Sequence, residues 1–101
     1  MEYKYTLDPP VTYMEKEYSE ITVDTSKIKG RMLENLASRM RAELIGSPAH
    51  LNAGYCTRLA FLAAGLPDKL VEELAAPIYY QIFNDMSSFL LSSSYQNALE
   101  N

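Results

Sequence analysis

Tyr3, Tyr5 and Leu7 alternate with Glu2, Lys4 and Thr6 at the start of the chain, the period of two that a half-buried strand requires. Asp8-Pro9-Pro10 interrupts the run. Proline cannot donate to a ladder and belongs at an edge or a bulge, so the strand resumes at Val11-Thr12-Tyr13. A polar turn at Met14-Glu15-Lys16 leads into a second strand, Glu17 to Val23, with Ser19, Ile21 and Val23 on one face and Tyr18, Glu20 and Thr22 on the other. An isolated hairpin is marginal in water; this one must lie against helices or gain a partner strand.

The period then changes. Asp24-Thr25-Ser26 supplies N-cap side chains, and Ile28, Met32, Leu33, Leu36, Met40 and Leu44 fall in one helical stripe opposite Arg31, Glu34, Ser38 and Arg41. This predicts a helix from Ile28 to Ile45, closed by Gly46. Ser47-Pro48 reads as the N-cap and first position of the next helix, which runs to Ala64 and is closed by Gly65. Its main stripe is Leu51, Tyr55, Leu59 and Leu62. A second face of Ala53, Gly54, Thr57, Ala60, Phe61 and Ala64 is mostly small and admits close approach of another element. Arg58 is the only permanent charge in this helix, which marks it as central or as an assembly surface.

Leu66-Pro67-Asp68 begins a short helix with Leu70, Val71 and Leu74 facing inward. Pro77 breaks it and starts the last one, Ile78 to Leu91, in which Tyr79, Ile82, Phe83, Met86, Phe89 and Leu90 share a face. Ser92 to Asn101 lacks apolar periodicity and reads as a frayed tail. The expected fold is α+β in a single domain over 1–101: a β-hairpin at 1–24, a bundle of about four α-helices over 25–91, and the tail at 92–101.

The composition is that of one globular domain. Of 101 residues, 48% are hydrophobic and 22% charged, and a chain this long buries about 65% of its unfolded surface, enough for stability without disulfides. Cys56 stands alone, which excludes an internal disulfide and gives no zinc spacing. Met1 to Tyr5 carries no apolar core of signal-peptide length, and no stretch reaches the roughly 18 apolar residues of a membrane span; cytoplasmic residence follows as the expectation. Nine basic against thirteen acidic residues give a net charge of −4. Nucleic-acid affinity rests on cations neutralising phosphates, so this balance argues against it. Arg31, Arg39 and Arg41, interleaved with Glu34 and Glu43, read as a solvated helix face.

Candidate chemistry is sparse. Gly30, Gly46, Gly54 and Gly65 sit far apart, in helix or cap contexts, and form no phosphate loop. His50 has no companion ligand at metal spacing and reads as a surface group in a first helical turn. On one continuous helix His50 and Cys56 stand about 240° apart, too far round to form a nucleophile–base pair, and Cys56 reads as a small packed hydrophobe. Glu15, Glu17, Glu20 and Asp24 cluster at the hairpin, where acids blunt an exposed edge. The reading is a non-enzymatic protein with no catalytic residues, cofactor or metal.

The last helix points to binding instead. Tyr80, Asn84, Ser87 and Leu91 line its outer face, and Asp85 is the only charge from Pro77 to Gln96. Interface cores are depleted in charge and enriched in tyrosine. That face is the leading candidate for a protein–protein surface, with Gly54 and Phe61 of the small-residue face as further candidates.

Taken in order, the elements resemble the small tail assembly chaperones of long-tailed bacteriophages and prophages, of the contractile-tailed, Mu-like kind. The resemblance rests on Tyr5-Thr6-Leu7-Asp8-Pro9-Pro10-Val11, then Tyr18-Ser19-Glu20-Ile21-Thr22-Val23, then Leu62-Ala63-Ala64-Gly65-Leu66-Pro67. Val71-Glu72-Glu73-Leu74 follows, and Ile78, Ile82, Met86 and Phe89-Leu90 complete it. It spans residues 4 to 91. Members often carry a glycine-type hairpin turn where this chain has Met14-Glu15-Lys16. The resemblance implies a non-catalytic protein of the host cytoplasm, absent from the finished virion; self-association that masks its charge-poor faces until a client arrives makes a homo-oligomer the expectation. The resemblance also implies a protein that binds and solubilises the tape-measure protein and promotes assembly of the tail tube around it, with tube subunits as further partners. Many members also exist in a longer, frameshifted form. Two other readings stand beside this one: a structural virion component, such as a tail-completion or connector protein, and a small regulator acting on nucleic acid, which the acidic charge disfavours.

Overall fold

The computed structural model describes residues 1–100, with side chains for residues 1–92. β1 (Glu2–Tyr13) and β2 (Lys16–Asp24) form an antiparallel hairpin. Pairing runs from Glu2 opposite Asp24 to Thr6 opposite Glu20, and resumes with Val11 opposite Tyr18. Residues 7–10 therefore stand opposite Ser19 alone. The proline pair bulges the strand without ending it, because the missing N–H groups fall where the ladder is already interrupted. Tyr5, Leu7, Val11, Ile21 and Val23 are buried, as the alternation requires, whereas Ser19 beside the bulge is exposed.

The turn has two residues, and Lys16 belongs to β2. Met14 and Glu15 both have positive φ, 51° and 67°. A two-residue loop with both residues left-handed has the twist that right-handed strands need. Glycine or asparagine is usual there, so the glycine-type backbone is kept although the residues depart from it.

Helices follow in the order expected, with shifted boundaries. Asp24 does not start the first α-helix. Its Oδ1 accepts from the Ser26 amide (3.0 Å) and hydroxyl (2.7 Å) and caps a one-turn 3-10 helix, Thr25–Lys27. α1 covers only Gly30–Arg39; Met40 to Gly46 continue as turns, so Gly46 (φ 87°) bends a loop and does not cap α1. A second 3-10 turn, Ala49–Leu51, precedes α2 (Ala53–Ala63). Ser47-Pro48 therefore does not open α2. Asn52 does, its Oδ1 accepting from the Tyr55 amide at 2.9 Å while its Nδ2 donates to the Glu43 carbonyl at 3.1 Å and ties down the preceding loop. At the other end, the Leu66 amide donates to Phe61 O (2.9 Å) and the Gly65 amide to Leu62 O (3.0 Å). With Gly65 at φ 74°, this is the paired C-cap that glycine permits.

The short helix expected after Leu66 is a 3-10 segment, Asp68–Glu73, with Leu70 and Val71 buried. α3 runs from Ala76 to Glu100; the backbone that the apolar spacing ends at Leu91 stays helical through most of the expected tail. The fold is α+β: an N-terminal hairpin followed by about four helical segments.

α2 sits at the centre. Tyr55, Cys56, Thr57, Leu59, Ala60, Phe61 and Ala63 are all buried, under the hairpin's inner face, Leu36 of α1, Leu70 and Val71, and Ile82 and Met86 of α3. Each large side chain so buried contributes about 1.5–3 kcal/mol. The near-absence of charge in α2 follows from this position, which decides Arg58 in favour of the central reading. Its guanidinium lies over the Gly54 carbonyl (3.4 Å) and reaches towards Glu72 at 4.0 Å. Thr57, fully buried, satisfies its hydroxyl by donating to the Ala53 carbonyl at 2.8 Å.

Candidate functional site

The inner stripe of α3 docks on α2 through Ile82 and Met86, and this fixes which residues point outward. Tyr80 is 60% exposed and Leu91 55%; Asn84, one turn after Tyr80, is exposed as well. The Tyr80 ring lies edge-on to Tyr79 (6.2 Å) and Phe83 (6.4 Å). Gln81, Ser88 and Ser92 flank the stripe, all exposed and uncharged.

Asp85 does not face this surface as a free charge. It is half-buried, and its Oδ2 accepts from the Tyr5 hydroxyl at 2.8 Å across 80 residues of sequence. Burial, and then this bond to a carboxylate, raise the Tyr5 phenol well above its ordinary pKa, so the hydroxyl remains a donor. The one carboxylate of this stretch is thus committed to anchoring the hairpin, and the outward stripe of α3 is uncharged.

Three of the six candidate residues lie elsewhere than on an open surface. Ser87 is half-buried, its hydroxyl donating to the His50 carbonyl at 2.6 Å and clasping α3 to the 3-10 turn before α2. Phe61 is 0% exposed and belongs to the core. Gly54 is half-buried, with the Met40 side chain packed 3.4 Å from where a Cβ would sit. The small-residue face of α2 does admit a close neighbour, but the neighbour is this chain's own structure. Tyr80, Asn84 and Leu91 remain exposed on one side of α3, with the half-buried Ser87 between Asn84 and Leu91.

His50 and Cys56 stand on different elements, because Asn52 separates the 3-10 turn from α2. The angular argument for one helix therefore does not apply; the thiol instead donates to the His50 backbone carbonyl at 3.4 Å. Burial pushes the thiol up to about 11, away from the thiolate that a nucleophile needs. Glu15, Glu17 and Glu20 are exposed along the hairpin. Among the described residues no group of three His, Cys, Asp or Glu side chains converges as metal ligands would, and no helix is long and apolar enough to cross a membrane.

Sequence reasoning passed over one surface. A groove of about 800 Å³ runs beside α1, floored by Met32, Leu36 and Leu62 and bordered by Asn35, Lys29, Arg31 and Arg39. Arg39 is paired with Asp68 at 3.1 Å. No carboxylate lines the groove. The signal in the sequence was the run from Lys27 to Arg41, with five cations and only Glu34 against them. No protein-family model, curated protein or solved structure matches the chain.

Proposed function

We propose that this protein is a phage tail assembly chaperone, a non-catalytic cytoplasmic protein that binds and solubilises the tape-measure protein and promotes assembly of the tail tube. The observation that carries the reading is the exposed, uncharged stripe Tyr80, Asn84 and Leu91 on α3, whose neighbouring carboxylate is turned inward to Tyr5. A long helical client exposes apolar surface that aggregates when bare, and a charge-poor helix face can cover it without burying an unpaired ion. Tyr80 supplies the anchor, a large ring with a hydroxyl still able to find a partner. The reading also draws on the resemblance of the sequence segments between Tyr5 and Leu90 to that family.

Co-expression with the phage's own tape-measure protein tests this directly. The soluble fraction of the client should rise with the wild-type protein and fall back with Tyr80→Glu/Leu91→Lys, while the variant keeps its circular-dichroism spectrum and melting temperature. An unchanged soluble fraction with a folded wild-type protein refutes the chaperone reading. A double variant that solubilises the client as well as the wild type refutes the role of this face.

A further inference from the structure

The groove beside α1 has a counterpart at the other end of the charge distribution. Between Glu2 and Asp24 the chain carries six carboxylates and two lysines, the reverse of the balance from Lys27 to Arg41. At the hairpin tip Met14 is 82% exposed, the most exposed large apolar side chain of the described residues, and Glu15 and Glu17 on either side of Lys16 are exposed too. Lys16 lies with its ammonium over the Tyr18 ring, 5.4 Å from the centroid, which leaves two carboxylates against one ammonium at the tip. The tip is thus an apolar side chain framed by carboxylates. In the groove, Lys29 and Arg31 make no ion pair among the described residues, and the floor is apolar.

We propose that the hairpin tip of one copy docks in the α1 groove of another, with Met14 against Met32, Leu36 and Leu62, and Glu15 and Glu17 facing Lys29 and Arg31. The charge complementarity selects the occupant: the groove calls for an apolar group framed by carboxylates, and this chain displays one. The two-residue turn, with Met14 and Glu15 both left-handed, presents these side chains at the extreme end of the hairpin. Tip and groove are different patches, so the contact is heterologous and copies add head to tail, closing into a ring when the rotation between them permits. Complementary charge across such a contact also speeds encounter and makes association sensitive to salt. The inference stands apart from the client-binding role of α3, with which the groove shares no residue.

The test is complementation between two folded variants, followed by light scattering after size exclusion at several concentrations and by sedimentation. Glu15→Lys/Glu17→Lys reverses the tip and leaves the groove intact; Lys29→Glu/Arg31→Glu does the opposite. All four positions are exposed, and circular dichroism confirms that both variants fold. The wild type should self-associate, and each variant alone should do so at least about tenfold more weakly, as expected for two exposed ion pairs turned repulsive. An equimolar mixture of the two should recover association, since it contains both an intact tip and an intact groove. Tyr80→Glu/Leu91→Lys should associate like the wild type. A monomeric wild type, a variant that associates undiminished, a mixture that stays monomeric, or loss of association in the α3 variant would each overturn the proposal.

Discussion

Removing one hydroxyl, by Tyr5→Phe, isolates the side-chain hydrogen bond that spans the most sequence among the described residues. The ring of Tyr5 is buried against the core, so phenylalanine keeps the packing and leaves no cavity beyond the lost oxygen. What disappears is the 2.8 Å bond from the hydroxyl to Asp85 Oδ2. A hydrogen bond to a charged group contributes about 1.5–3 kcal/mol, and the partner left behind adds a desolvation penalty when it is buried. Asp85 is only half-buried, so water replaces part of what is lost, and the cost should lie near the lower end, about 1.5 kcal/mol. For a domain of this size that lowers Tm by on the order of 10 °C.

The assay is urea unfolding followed by far-ultraviolet circular dichroism, because the chain has no tryptophan to report on its core. A double-mutant cycle with Asp85→Ala assigns the energy: Tyr5→Phe should cost almost nothing further once the carboxylate is gone. A loss below about 0.3 kcal/mol in the wild-type background, on the scale of a surface substitution, would refute the claim that this bond anchors the hairpin to α3. So would a full loss that persists beside Asp85→Ala, which would trace the effect to ring packing.

Two further outcomes follow from local conformation and protonation. Glu15→Gly should raise Tm by a few degrees, because relief of left-handed strain of about 1–2 kcal/mol exceeds the roughly 0.5–1 kcal/mol that a flexible glycine adds to the unfolded state; a lower Tm by differential scanning calorimetry would contradict the strain. Burial holds the Cys56 thiol neutral and pushes it up to about 11, so the stability tied to the protonated form is intact below the ordinary thiol pKa of about 9 and is lost as pH climbs from 9 to 11. Stability measured across that window should fall less steeply in Cys56→Ala, and identical slopes would show that the thiol does not titrate with folding.

The hairpin was legible because burial on one face leaves a period of two, and Tyr5, Leu7, Ile21 and Val23 obey it. The end of α2 was equally legible, since only glycine enters the backbone region of Gly65 without cost. Spacing alone could not find the end of α1: Met40 and Leu44 stay on the apolar stripe after the backbone has left the helix, because turns can place side chains inward as a helix does. The start of α2 was misread for a related reason. Ser47-Pro48 has the chemistry of a helix start, but Asn52 has it too, and the loop bond to the Glu43 carbonyl that favours Asn52 is not local in sequence. Phe61 and Gly54 were misassigned because a central helix has its second face covered by the chain's own elements, and periodicity cannot say how many neighbours a helix will have. Ser87 shares the outward stripe of α3 by angle, yet the turn holding His50 reaches round to cover it. The basic groove escaped because Glu34 and Glu43 dilute the arginines along the chain, whereas in space neither carboxylate lines it.

The polarity of the α3 face bears on how it could be exposed and still serve the proposed binding role. Lysines and glutamates would keep such a face soluble, but each ion covered by a partner without a counter-ion would cost several kcal/mol. Asn84, Ser88 and Gln81 hold water around Tyr80 and Leu91 through neutral dipoles, whose burial costs about 1–3 kcal/mol unpaired and little when a client backbone or side chain takes the bond. Turning Asp85 inward to Tyr5 completes the arrangement: it removes the one charge of residues 77–92 from the outer face of α3 and uses that charge to fix the sheet to the helix.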